Sequence, residues 1–337
     1  MIYLNKKKLK WIILMLGLVF ALHAFGQDEK FVNLNGYLQT RLSSNFDNST
    51  EFTIRRAKLW VYGEIPNLSF ITYKMQAVYT SFKSESFVFQ DAFADIHTPG
   101  YGYLRVGRFV PDFMLQRMQP DYEIPVLERA DVISDMTINE KEMGREVGLQ
   151  YTFQHKSLPL HFSFGIFNAN VEQPAHSKDN LLLYTSRVAY KVIDKGNSWL
   201  DIGGSFAYRH LDKMTLTTIY QPDSVISGND FRWGIESQWH WNNFELQGEY
   251  VQAKINKDKA DGWYALADYT IHKKYQVVAL AQKYNDLNPI TSNNAWYGVG
   301  FNVQLSGNTK LMSDLKTQDT DSGRKYLGDL QLQIFFN

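Results

Sequence analysis

The chain has 337 residues, 35 basic against 35 acidic, with 15% aromatic residues, nine prolines and no cysteine. Neutral charge argues against a nucleic-acid binder, which carries a clear basic excess. The missing cysteine excludes disulfides and a cysteine-linked lipid anchor.

At the start, Lys6, Lys7, Lys8 and Lys10 precede an apolar stretch from Trp11 to Leu22, and small Ala24 and Gly26 follow. That order predicts a signal peptide over residues 1–26, with Gln27 as the new N-terminus. The apolar run is far short of the ~20 residues a spanning helix needs. Residues 27–337 then form a single domain carrying 31 basic against 35 acidic residues, because 1–26 removes four lysines and no acid. No later stretch is apolar enough for a transmembrane helix, so a membrane location would require a closed barrel.

From Val32 onward the chain alternates polar and apolar side chains with period two, in segments of about 10 residues bounded by turn residues. Val32, Leu34, Leu38 and Leu42 oppose Asn33, Asn35, Gln39 and Arg41, and Ala57, Leu59 and Val61 oppose Arg56, Lys58 and Trp60. Further runs cover 68–80, 87–97, 103–109, 146–154, 160–169, 181–193, 199–210, 231–241, 243–250, 262–271, 275–284, 296–305 and 309–318. The chain closes on LQLQIFFN, where Leu330, Leu332, Ile334 and Phe336 oppose Gln331 and Gln333, with Phe335 the exception. About 16 strands result, the even number that an antiparallel bacterial barrel requires.

Alternation alone also fits a secreted sandwich. Two features favour an all-β transmembrane antiparallel barrel. Tight turns such as EIPN, DKGN and HKK alternate with longer loops such as VEQPAHSKDN, as if sorted to two rims. Aromatic residues also cluster near strand ends, among them Tyr62, Trp199, Trp233, Trp241, Trp263, Tyr269, Phe335 and Phe336, as interfacial girdles do.

No nucleophile elbow, phosphate loop or dinucleotide motif is present, so the chain is read as no enzyme and as having no cofactor. Asp95 and His97 share a strand face, but two ligands make no metal site. The cations are more telling. Parity places Arg56, Lys58, Arg187, Arg209 and Arg232, with Arg41, on the polar face, which in a barrel is the lumen. Arg105 joins them; Arg108 then falls on the opposite parity, near the rim or beyond a bulge. The stretch from Pro111 to Met143 carries Arg117 and Arg129 among apolar anchors such as Phe113 and Ile124. It is too long for an idle hairpin loop and is expected to fold into the lumen. Most of these cations are expected to pair with acids such as Asp91, Asp95, Glu146, Glu236 and Glu249, leaving a few to meet solute.

TIRRAKLWVYGEI (53–65), LRVGRFVPDF (104–113), GREVGLQYTF (144–153), YTSRVAYKV (184–192), LQGEYV (246–251) and GWYALADYTI (262–271) resemble the phosphate-selective porin O and P family, in family order. The resemblance implies a 16-stranded, often trimeric outer-membrane barrel with an inward-folded third loop and an anion path. By motif position Arg56, Lys58, Arg105, Arg108, Arg145 and Arg187 would line it. Val110 stands where relatives often have lysine, and Asp112 where they often have a neutral residue, so strong phosphate selectivity is not expected. The expected function is passive diffusion of small solutes with a weak anion preference. A plugged barrel serving as a surface scaffold or binding protein is the alternative. The expected partners are outer-membrane lipid, small anionic solutes and two further copies of the chain, with no nucleic acid.

Overall fold

A computed structural model describes residues 31–82, 85–138, 144–155, 157–169, 181–288, 295–320 and 323–336. The expected signal peptide, the loop 171–180 and the last five residues of the 111–143 stretch lie outside the described residues. Sixteen strands follow one another: β1 (Asn33–Ser44), β2 (Thr50–Ile65), β3 (Leu68–Thr80), β4 (Ser86–Thr98), β5 (Gly102–Phe109), β6 (Glu146–Gln154), β7 (Leu160–Asn168) and β8 (Leu182–Lys195) form one half. β9 (Ser198–Met214), β10 (Ile226–Trp241), β11 (Phe244–Ile255), β12 (Asp258–Ile271), β13 (Tyr275–Asn285), β14 (Ala295–Ser306), β15 (Thr309–Thr320) and β16 (Gly323–Phe336) form the other. Each pairs antiparallel with the next, and β16 pairs with β1, so the sheet is a closed barrel without an edge. Two short helices, α1 (Leu115–Met118) and α2 (Asp131–Asp135), lie between β5 and β6.

The two faces invert the order of a water-soluble protein. On β10, Ile235 is 58% exposed while the adjacent Glu236 is 6% exposed. Leu59, Val106, Ile202 and Val299 share the outer exposure, and Gln39, Arg41, Arg209 and Asn302 are buried within. An apolar exterior around a polar interior is stable only where hydrocarbon surrounds the barrel. Trp233, Tyr250 and Trp263 form a girdle toward one rim, and Trp239, Trp241, Phe244, Tyr269 and Tyr275 another toward the opposite rim. Tyr250 pairs with Trp263 and Phe244 with Tyr269, so the girdles stand six residues apart on these strands, about 20 Å.

The closing strand shows how the seam is held. Leu330 and Ile334 face outward, while Gln331 and Gln333 are buried. Gln39 Nε2 donates to Gln333 Oε1 at 2.7 Å, and Arg41 donates to Gln331 at 3.0 and 2.7 Å. Phe335 shares the parity of these glutamines, so it turns inward and packs on Trp60 at 5.8 Å and Tyr122 at 5.3 Å. Trp199 likewise stacks on His240 on the inner face rather than joining the girdle.

Several boundaries differ from the alternation. Residues 251–261 belong to strands, because β11 and β12 continue to a tight turn at Asn256 and Lys257; Asn256 takes the left-handed φ of 55° that such a turn needs. That turn sits on the rim of the long loops, so loop lengths are not strictly sorted. Register shifts interrupt the pairing at six points among the described residues, and two of them bear on the inner-face cations. Gln39 pairs with Arg56 and Thr40 with Ile54, which leaves Arg55 as an extra residue pointing inward beside Arg56. On β4, Gln90 is the extra residue between Phe89 and Asp91.

Candidate functional site: the inner wall and residues 110–138

Residues 110–138 meet inner-face side chains on opposite sides of the barrel. The Asp112 carboxylate lies 2.7 Å from His161, accepts from Ser163 at 2.8 Å and stands 3.5 Å from Arg187. The Met114 N–H donates to Ser205 Oγ at 2.9 Å. Glu249 accepts the N–H groups of Leu115 and Gln116 at 2.8 and 2.7 Å, meeting two donors that the first turn of α1 leaves open. Across the barrel, Gln333 donates to the Tyr122 carbonyl at 3.2 Å and Asn302 to that of Pro125 at 2.7 Å. Arg232 returns to the carbonyls of Met136 and Thr137 at 2.7 and 3.1 Å. An apolar cluster backs these bonds, with Phe113, Ile124, Val132, Ile133 and Met136 packed among Leu211, Val251, Leu266 and Val278 of the wall.

Two acids of this segment collect the cations of β1 and β2. Glu128 accepts from Arg41 at 2.7 Å, from Arg56 at 3.2 Å and from Arg55. Asp121 accepts from Lys58 at 2.7 Å and from Arg129, with Arg56 at 3.6 Å. Burial pushes both carboxyls up, but the cations outweigh it: Arg129, Lys58 and Arg56 hold Asp121, and Arg56, Arg55 and Arg41 hold Glu128, well below the usual carboxylate range. Arg117 is shifted well down by burial, with Arg145 and Arg129 adding repulsion.

The ten cations read from the sequence fall into five groups. Lys58, Arg117, Arg129 and Arg145 surround one cavity of about 200 Å³, joined there by Lys74, Asp91 and Asp121, and Arg56 stands beside it on Asp121 and Glu128. Arg187 reaches Glu236 at 2.9 Å and bridges to Asp112. Arg209 and Arg232 share Asp230 at 2.9 and 2.8 Å. Arg105 grips Asp95 with both arms at 2.7 and 2.8 Å, its guanidinium 3.9 Å from the Phe93 ring. Arg108 donates to the Gln90 carbonyl at 3.1 Å, so the off-parity arginine binds the bulge of the neighbouring strand. Gly107 beside it has φ +134°, and a Cβ there would come 2.2 Å from the Ala92 carbonyl, so only glycine lets β5 run this close to β4. His97 is engaged by Thr72 at 3.0 Å.

Further inner-face cations lie outside these ten, among them Lys74, Lys316 and Arg55. Lys74 stands on β3 over the Trp60 ring at 5.5 Å, and Thr72, Lys74 and Gln76 share a parity that reveals it. Lys316 pairs with Asp314 at 3.0 Å. Arg55 has no sequence signal, because the bulge that turns it inward reverses its parity.

Fold and site together define a membrane-spanning porin-type barrel with a charged, internally paired wall. The family model for phosphate-selective porin O and P matches residues 36–299, and the chain belongs to that family. The barrel is therefore one of the outer membrane. Porin O of Pseudomonas aeruginosa is 24% identical over 207 residues, covering 50% of this chain and 46% of that protein; the match thus spans about half of the relative's length. Among solved structures, an anion-selective porin from Comamonas acidovorans superposes with a TM-score of 0.66 at 12% identity, covering 90% of this chain and 99% of its own. OmpF of Salmonella typhi, in complex with daunomycin, gives 0.65 at 14% identity, covering 90% and 97%. OmpT of Vibrio cholerae in its trimer form gives 0.62 at 10% identity, covering 90% and 99%. At these identities the likeness is one of fold.

Proposed function

We propose that the protein is a homotrimeric outer-membrane porin, passing small solutes by unassisted, non-enzymatic diffusion with a weak preference for anions. The described part of the 111–143 stretch folds into the lumen and narrows it, and the chain is exported on a signal peptide cleaved after Gly26. The observation that carries this reading is the cavity wall, where Lys58, Lys74, Arg117, Arg129 and Arg145 face Asp91 and Asp121. A modest cationic surplus biases a pore toward anions without binding them tightly. Strong phosphate selectivity is not supported, since Arg56, Lys58, Arg105, Arg187, Arg209 and Arg232 already hold carboxylates of this chain.

Liposomes loaded with sugars of graded size test the passage directly. Swelling that falls with solute size supports a sieve. The apolar cluster between Phe113, Val132 or Met136 and the wall favours a second reading, a barrel plugged by this segment that serves as a surface scaffold. Correctly folded protein that allows no swelling by the smallest sugar decides for the plug.

A further inference from the structure

The turn between β11 and β12 carries a charge arrangement that the pore does not use. Register sets Lys254 directly opposite Lys259, with Lys257 in the turn between them. Ala253, Ile255 and Ala260 beside them are buried inward, so Lys254 and Lys259 stand on the outer face, and all three lysines are exposed. Like charges directly opposed on a strand pair repel one another. Among the described residues none of the three has an acidic partner, and the two acids nearest in sequence are engaged. Asp258 accepts from Tyr220 at 3.0 Å, and Asp261 accepts from Tyr250 and Asn285 at 2.9 and 2.8 Å.

Depth in the membrane identifies the missing anion. Lys254 lies four residues beyond Tyr250, and Lys259 four before Trp263, the paired residues of the girdle on the long-loop side. At about 3.4 Å per residue and a tilt near 40°, the lysines stand roughly 10 Å outside that girdle, at headgroup level. In barrels of this class the rim of the long loops is the extracellular one. The outer leaflet there is built of a phosphorylated glycolipid, lipopolysaccharide.

We propose that Lys254, Lys257 and Lys259 form a docking patch for the phosphate groups of this glycolipid, with Trp263 and Tyr250 packing against its acyl chains. Charge complementarity selects the occupant: three unpartnered cations at headgroup depth, two of them opposed, need a bridging anion that stays at the lipid boundary. The orientation rests on the outer-membrane porin reading, but the patch does not require an open pore.

The test uses the full-length protein extracted from outer membranes in mild detergent and washed, with bound lipid read by native mass spectrometry. The wild type is expected to retain at least one lipopolysaccharide per chain, and K254Q/K257Q/K259Q to lose about fivefold or more of it while keeping the heat-resistant folded band. K213Q, which removes an exposed lysine at the end of β9, is expected to retain it. Rebinding of delipidated wild type is expected with phosphorylated lipid A and not with its dephosphorylated form, and inorganic phosphate in the buffer is expected not to displace the lipid. Equal retention by the triple variant, equal rebinding of dephosphorylated lipid, or displacement by inorganic phosphate each overturns the proposal. A barrel that conducts nothing yet still loses lipid on substitution refutes the diffusion reading alone.

Discussion

Glu128 is the most revealing single residue to change, because three guanidiniums of β1 and β2 converge on its carboxylate. Glu128→Gln keeps the shape and removes the charge. Taking away one partner of a buried ion pair costs about 3–5 kcal/mol. Glu128's side chain is 27% exposed, which places the cost at the lower end. A loss of about 3 kcal/mol shifts the balance between docked and released forms of residues 110–138 roughly a hundredfold. The substitution also adds one net positive charge to the wall. For an ion passing about 10 Å away through water, that charge is worth about 0.4 kcal/mol, favourable for anions and unfavourable for cations. The anion-to-cation permeability ratio should therefore rise about fourfold at low salt, and less near 0.1 M, where the Debye length is about 10 Å. Single-channel recording with a salt gradient reads both effects, as larger or noisier steps and a displaced reversal potential. If Glu128→Gln shows the wild-type conductance and the wild-type reversal potential, the segment is not pinned at this point and the reasoning fails.

Trp60→Ala should remove the ring on which Tyr122 and Phe335 pack, costing about 3–5 kcal/mol, and thermal unfolding of the purified barrel should show a lowered midpoint. Arg232→Met should free the Met136 and Thr137 carbonyls while Arg209 still holds Asp230; faster proteolysis near residues 135–138, with the barrel intact, is the expected result. Asp121 and Glu128 titrate below their ordinary values of 3.8 and 4.5, so their pairing is fully present above those values and is lost as pH falls through the lowered ones. Release of Asp121 and Glu128 from the β1 and β2 cations, read as a change in conductance that Glu128→Gln alters, should accordingly set in only below about pH 4.

The barrel was legible in the sequence because period-two alternation is local: each strand declares its own inner and outer face, as LQLQ does at Leu330–Gln333. Parity also placed Arg56, Lys58, Arg187, Arg209 and Arg232 inside. It failed where the backbone leaves the strict pleat. The bulge at Arg55 turned an apparently outward arginine into a ligand of Glu128, and the bulge at Gln90 supplied the carbonyl that Arg108 binds. Residues 251–261 look like a connection because Ala253, Ile255 and Ala260 face an apolar packing surface inside the barrel, which removes the polar half of the alternation. The pairing of cations with acids had no local signature. Glu128 meets Arg41, Arg55 and Arg56 across separations of more than 70 residues, and only the closed barrel brings them together.

Reversal potential of the unmodified protein in a planar bilayer, across a tenfold salt gradient, tests the central claim most directly. An anion-preferring pore gives discrete conductance steps and a small reversal potential of the sign that marks anions as the more permeant ions, collapsing toward zero in concentrated salt. Correctly inserted barrels that show no steps, or a reversal potential of cation-selective sign, would contradict it.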